Sequence, residues 1–290
     1  MIDEDDRQVR TAGHVTDAAA VEVRPGDSPL VLGLPHTGTG LPDGVRAALN
    51  ARGCELADTD WHVERLYAGL LHGTTTVRAR FHRYVVDANR DPDGSSLYPG
   101  QATTGLVPFT DFDGEPIWRE GHEPDDAEVR SRVSAWHAPY HRALTREIER
   151  VREHHGVAIL YDCHSIRSCV PRLFDGVLPD LNIGTDGGTT CDALVEAAAV
   201  AVAGRANGFT WVLDGRFRGG WTVRHHGRPG EGVHAIQMEI CQSAYLVSER
   251  APWVWDGTRA PRLRATLAEV LAALERLAPQ LSDPPRSVRR

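Results

Sequence analysis

Gly156-Val157-Ala158-Ile159-Leu160-Tyr161-Asp162-Cys163-His164-Ser165 runs from a helix-ending glycine through five residues with apolar bodies into a polar, chemistry-bearing close. A short apolar run of this kind reads as a strand buried on both faces, Val157 to Tyr161, feeding a loop at its carboxyl end. Leu30 to Leu34 repeats the pattern and is closed by Pro35-His36-Thr37-Gly38; Phe209 to Leu213 and Val233 to Ile240 add two further strands. Thr74 to Arg80 and Arg83 to Asp87 are rich in β-branched and aromatic residues and read as strands as well. Between them lie helical patterns over residues 42–53, 60–73, 125–155, 192–205 and 259–277. Residues 91–122, 168–190 and 214–232 carry many Gly, Pro, Asp or Arg with no sustained period and read as loops. Alternation of apolar strands with helices predicts an α/β fold: one domain, a mixed sheet covered by helices on both faces. The expected organisation is a polar lead-in over 1–27, a catalytic domain over 28–280 and a tail over 281–290.

Composition excludes several classes of function. Forty acidic residues against 32 basic ones leave a net charge of −8, so no nucleic-acid partner is expected. No apolar run approaches the roughly 18 residues needed to cross a bilayer, and the acidic opening MIDEDDRQVR does not read as a signal peptide. Five cysteines, an odd number without CxxC spacing, suggest free thiols in a reducing compartment, the cytoplasm. The chain contains no lysine, so all 32 bases are arginine. Arginine cannot form an imine or act as a P-loop lysine, which excludes Schiff-base, pyridoxal-phosphate and Walker-A chemistry.

His36 and His164 each follow a buried strand, where open α/β sheets bind ligands. Each alone reads as a loop histidine with a local hydrogen bond; two in matching positions bring a Zn²⁺ site level with that reading. Such a site wants a carboxylate as third ligand, and Asp58, Asp60 and Glu64 are the nearest in sequence. Spacing does not choose among them, and any can instead serve the first turn of the following helix. Asp162, two residues before His164, can orient an imidazole from behind. In Val233-His-Ala-Ile-Gln-Met-Glu239-Ile240-Cys241 the carboxylate of Glu239 shares a strand face with Val233, Ala235 and Gln237. A buried carboxylate is costly unless it is paired or working, and partial burial raises its pKa toward that of a general base. Arginines cluster near these points: Arg83 with Asn89 and Arg90, then Arg216, Arg218, Arg224 and Arg228. The Gly-rich stretch 182–188 offers backbone amides to an anion. Cys163 and Cys241 at strand ends raise a thiol mechanism, but buried apolar filling is the stronger reading.

Taken in order, LPHTGTGLP (34–42), DTDWHVERLY (58–67), RYVVDANR (83–90), LYPGQATTGL (97–106), DCHSIRS (162–168), LNIGTDGG (181–188), GRFRGGWTVRHHGRP (215–229) and HAIQMEICQSAYL (234–246) resemble the N-formylglutamate amidohydrolase family. That family is remotely similar to zinc carboxypeptidases and aspartoacylases, so the resemblance implies a zinc-carboxypeptidase-like fold. It implies His36, Asp60 and His164 as ligands of one divalent cation per chain, Zn²⁺, and Glu239 as the base. The carboxypeptidases place their acidic ligand three residues after the first histidine; here that position is Thr39, and the resemblance favours Asp60. Arg83, Asn89 and Arg90 match the substrate-gripping segment, Arg83 also as oxyanion stabiliser, and Arg224 is a further substrate-binding candidate. The implied reaction is hydrolysis of N-formyl-L-glutamate, a small dicarboxylate, to formate and L-glutamate in histidine degradation. Two rival readings are an amidohydrolase for another N-acyl acidic amino acid, such as N-formyl- or N-acetyl-aspartate, and a non-catalytic binder of an acidic small molecule. The sequence leaves the oligomeric state unknown.

Overall fold

The computed structural model describes residues 20–95, 100 and 102–282. The expected tail lies outside the described residues beyond Ser282, as do the first 19 residues of the lead-in and part of the LYPGQATTGL motif. Seven strands form one sheet: β1 (Val21–Arg24), β2 (Leu30–Leu34), β3 (Thr75–Ala79), β4 (Ala158–Ile166), β5 (Leu181–Gly184), β6 (Trp211–Leu213) and β7 (Val233–Cys241), in the order β1-β3-β2-β4-β7-β5-β6. The centre, β3-β2-β4-β7, is parallel; β1 runs antiparallel to β3, and β5 antiparallel to β7. The sheet is therefore mixed, as the alternation of strands and helices predicted.

The helices are α1 (Asp43–Ala48), α2 (Val63–Tyr67), α3 (Asp126–Arg132), α4 (Ala138–His155), α5 (Ala193–Arg205), α6 (Trp221–His226) and α7 (Arg259–Leu281). Side chains of successive strand residues point to opposite faces, and the core divides accordingly. Leu30, Leu32, Ile159, Tyr161, Ile236 and Met238 pack on one side with residues of α2, α5 and α7. Val31, Ala158, Leu160, Val233 and Ala235 pack on the other with residues of α1, α4 and α6. Asp192 caps α5 by accepting from Leu194 N at 2.8 Å, as its N-terminal carboxylate suggests. Gly156 ends α4 with φ 74°, a left-handed conformation that glycine adopts without strain.

Several expectations need correction. Residues 83–85 form a turn and 86–87 no regular element, not a strand: the carbonyls of Tyr84 and Val85 accept from Arg132 Nη1 at 3.4 and 3.2 Å in place of a ladder partner. The helices read over 42–53 and 60–73 shrink to six and five residues. The long pattern over 125–155 is broken by a π turn at Val133–His137. Strands β1 and β5 and helix α6 form inside stretches read as lead-in or loop. β4 also runs on to Ile166, so His164 belongs to the strand, not to the loop after it.

The turn after β2 passes hard against the end of β3. A Cβ on Gly38 would lie 2.5 Å from Arg80 C, 2.5 Å from Phe81 O and 2.6 Å from Ala79 O. Gly38→Ala is expected to destabilise the chain by about 2–3 kcal/mol, seen as a lower urea midpoint with an unchanged slope; an unchanged midpoint would contradict this packing.

Candidate active site

Parallel pairing of β4 with β7 sets His164 beside Glu239 and Asp162 beside Gln237, all four on one face of the sheet at its carboxyl edge. His36 arrives from the end of the neighbouring β2. The loop before α2 carries Asp60 to the same point: Asp60 N donates to His36 O at 3.1 Å, and its Oδ2 accepts from Ser165 N at 3.1 Å. That loop is tied down by Tyr245, whose hydroxyl donates to Trp61 O at 2.8 Å, and by the stacking of Trp61 on Trp253 at 4.4 Å.

His36 Nε2 lies 2.7 Å from Asp87 Oδ1, and His164 Nε2 lies 2.8 Å from Asp162 Oδ2. An ionised carboxylate only accepts, so each Nε2 carries its hydrogen toward the acid behind it, and each ring, once deprotonated as a metal ligand must be, presents Nδ1 to the front. Those Nδ1 atoms face Asp60 Oδ2, at 3.7 Å from His36 and 3.4 Å from His164. Donor atoms of the three residues all lie within 4.8 Å of one another. Ligands about 2.1 Å from one tetrahedral ion stand about 3.4 Å apart, so the buried His36-Asp60-His164 group fits a divalent cation. Imidazoles held from behind by carboxylates are the usual arrangement around such an ion.

The charge balance agrees. Asp58, Asp60, Asp87, Asp162 and Glu239 are all buried around one buried guanidinium, Arg83, a surplus of acids that a cation offsets. Burial alone would raise the Asp87 carboxyl, but Arg83, His36 and Arg90 hold it well below the usual range. Burial and Arg83 lower His36 despite Asp87 and Asp60. For His164, burial opposes the charge, yet Asp162, Asp60 and Glu239 outweigh it and raise the imidazole well above its ordinary value. Burial pushes Glu239 up to about 8; His164 and Arg83 pull against it while Asp60 and Asp162 add to it. Gln237 Nε2 donates to Glu239 Oε2 at 3.3 Å and is itself held by Gly220 N, which donates to Gln237 Oε1 at 2.7 Å.

A cleft opens over this group, lined by His36, Arg83, Asn89, Arg90, His164, Arg216, Gln237 and Glu239, with Phe112, Leu173 and Phe217 as apolar walls. Arg83 donates to Asp87 Oδ2 at 2.5 Å, while its Nε is buried without a partner. Burial opposes the charge on Arg83, but Asp87, Asp60 and Asp58 outweigh it and raise its pKa further. Arg90 is braced by Thr104, donating from Nε to the carbonyl at 3.0 Å and from Nη2 to Oγ1 at 2.7 Å. The structure thus brings together His36, Asp60, His164, Glu239, Arg83, Asn89 and Arg90.

Other candidates fall elsewhere. Asp58 turns away to accept from Phe112 N at 3.0 Å, and Glu64 lies on a different surface groove. Arg224 is not among the residues lining the cleft: it pairs with Asp186 at 2.9 Å and donates to Gly219 O. Amides of the Gly-rich stretch do not await an anion, since Thr185 N and Gly187 N donate to Asp214 at 2.9 and 3.0 Å. Cys163 is buried in the opposite, apolar face, and burial keeps its thiol well above the usual range, so it is no nucleophile. Sequence reasoning named Arg216 only among the nearby arginines and missed Gln237 and Asp87 as parts of the site. For Gln237 the period-two placement on the face of Glu239 was a usable signal.

A buried donor set, a strand-borne carboxylate and an arginine-lined cleft thus meet at the carboxyl edge of a mixed sheet. The N-formylglutamate amidohydrolase pattern matches residues 28–246, and the chain belongs to that family. It is 46% identical over 252 residues to the N-formylglutamate deformylase of Pseudomonas aeruginosa, covering 86% of this chain and 93% of that one. Against the N-formylglutamate deformylase of Pseudomonas putida it is 42% identical over 250 residues, with the same coverage. The crystal structure of N-formylglutamate amidohydrolase from Ralstonia eutropha superposes with a TM-score of 0.72 at 26% identity, over 91% of this chain and 98% of that one.

The geometry separates Asp60 from Asp58 as a ligand. Asp60→Asn is expected to weaken zinc binding at least about tenfold, whereas Asp58→Asn retains it. Zinc titration of the two variants checks this, and equal losses would contradict the placement.

Proposed function

We propose that this chain hydrolyses N-formyl-L-glutamate to formate and L-glutamate, using one Zn²⁺ held by His36, Asp60 and His164. The observation that carries this reading is the strand pairing of His164 with Glu239, which sets a buried carboxylate of raised pKa beside the cation-binding group. A cation bound there supplies Lewis acidity toward the formyl oxygen and lowers the pKa of water.

Glu239 accepts a proton from the attacking water as its oxygen bonds to the formyl carbon. It then returns that proton to the nitrogen as the carbon–nitrogen bond breaks, releasing formate and the free amine. Gln237 fixes the direction of the Glu239 carboxylate through the move. Arg83 stabilises the developing oxyanion, its buried charge already set in place by Asp87. Asn89 and Arg90, with Arg216, hold the two carboxylates of the substrate; planar guanidiniums grip such groups with two parallel hydrogen bonds. A local positive lining of this kind lets an acidic protein hold a dianion. The relatives named N-formylglutamate deformylase and the free cysteines support a cytoplasmic enzyme of histidine breakdown. Among the described residues no helix is long and apolar enough to cross a membrane.

Formate release from N-formylglutamate, followed before and after chelation and again after zinc is restored, tests the reading. Glu239→Gln is expected to cut kcat by about 10³-fold while zinc content stays at the wild-type level. Since Glu239 works only when ionised, kcat/KM rises with pH as its proton leaves. The midpoint of that limb lies at or below about 8, because a neighbouring cation favours the carboxylate. Turnover indifferent to chelation, or retained by Glu239→Gln, would overturn the mechanism.

A further inference from the structure

Asn89 and Arg90 stand in a stretch of turns, where the sheet provides no partner for their backbone, yet buried carbonyls require one. Two histidines supply it. His141 Nε2 donates to Ala88 O at 2.7 Å, and His137 Nε2 donates to Arg90 O at 2.9 Å. One helix face carries both: side chains four apart on a helix stand about 5–6 Å from each other, and the two rings lie 4.5 Å apart between centroids. His137 closes the π turn Val133–His137, immediately before α4 begins; such turns recur at functional sites.

The same cluster reaches α6. His141 Nδ1 and His226 Nε2 are 3.1 Å apart. Because His141 Nε2 is committed as a donor, its Nδ1 accepts and His226 Nε2 carries the hydrogen. Burial keeps His141 neutral and lowers His226 to about 3, consistent with one shared hydrogen. From α6, Thr222 N donates to Asn89 Oδ1 at 2.8 Å. Gly220, just before it, lies so close that a Cβ there would meet the Asn89 amide at 2.2 Å. Asn89 is thus held by its side chain from α6, by its own N–H from Asp87 Oδ1 at 2.8 Å, and through the carbonyls on either side from α4.

We propose that His137 and His141 are positioning residues of the substrate-binding segment: paired imidazoles on one helix face fix the carbonyls flanking Asn89 and so aim Asn89 and Arg90 into the cleft. The proposal rests on the reading that Asn89 and Arg90 bind the substrate. It assigns the imidazoles no contact with substrate or metal; Asn89 Nδ2 lies 3.1 Å from His164 Nε2, so zinc content and kcat are read beside KM, and loss of an imidazole is expected to act chiefly on KM.

Both imidazoles border a surface groove, but His141 is also tied to His226, which makes His137 the residue to change. The experiment measures kcat and KM for formate release from N-formylglutamate, thermal midpoint and zinc content in wild type, His137→Leu and His137→Gln. His137→Leu is expected to raise KM about tenfold, the effect of one lost buried hydrogen bond. In that variant kcat stays within about threefold and zinc is unchanged. His137→Gln, whose amide can donate to Arg90 O, recovers most of the affinity. Should His137→Leu not fold, His137→Asn, too short to reach that carbonyl, takes its place against His137→Gln. A KM unchanged in the leucine or asparagine variant, or no difference between it and the glutamine variant, overturns the proposal, as does a loss of zinc that accounts for the whole effect. A wild-type protein that releases no formate would refute the proposed function instead, and equilibrium binding of N-formylglutamate to the same variants then decides the positioning role alone.

Discussion

The parallel pairing of β4 with β7 is the constraint on which the rest depends. Its register sets His164 opposite Glu239 and Asp162 opposite Gln237. A slip of one residue would turn every side chain of one strand to the other face, putting Cys163 or Met238 where the chemistry belongs. Apolar burial enforces the register: Ile159, Tyr161 and Cys163 must meet Ile236, Met238 and Ile240 on one side, while Leu160 and Ala235 meet α4 and α6 residues on the other. The hydrophobic core and the site are thus specified by one alternation.

That core then carries an unusual electrostatic load. Asp87 and Asp162 hold the imidazoles from behind, Asp60 faces them in front, and Glu239 and Asp58 are buried beside them. Asp58 is pushed up to about 7 by burial, with Arg83, Tyr84 and the Phe112 amide opposing. Packed hydrophobic residues would make a more stable sheet edge. Functional sites are where folds break such local rules, with the surrounding structure compensating. Here the compensation comes from Arg83, the backbone amides of Ser165, Asn89 and Phe112, and a position suited to a cation.

Much of this was legible in the chain itself. β2, β4 and β7 announce themselves because strands buried on both faces read as unbroken apolar runs, and a carboxylate on such a strand stands out. The family resemblance located His36, His164, Asp60 and Glu239, and the structure gathers all four. What could not be read depends on contacts distant in sequence. Arg83 to Asp87 has strand-like composition, yet a guanidinium from residue 132 takes two of its carbonyls. Leu181 to Gly184 makes a strand only because β7 and β6 flank it. Arg224 shares a motif with the site but is held by Asp186, two glycine-rich stretches meeting where spacing gave no warning. Asp58 and Asp60 differ by two positions within one turn, and only the placement of Phe112 sends the first away from the imidazoles.

The central claim is that two imidazoles and Asp60 meet on a single divalent ion within reach of Glu239. X-ray absorption at the zinc edge of the zinc-loaded protein addresses it directly. The account predicts one ion per chain with nitrogen and oxygen neighbours at about 2.0–2.2 Å, two of them imidazoles, and no sulfur. A shell containing sulfur at about 2.3 Å, or one without imidazole scattering, would contradict it.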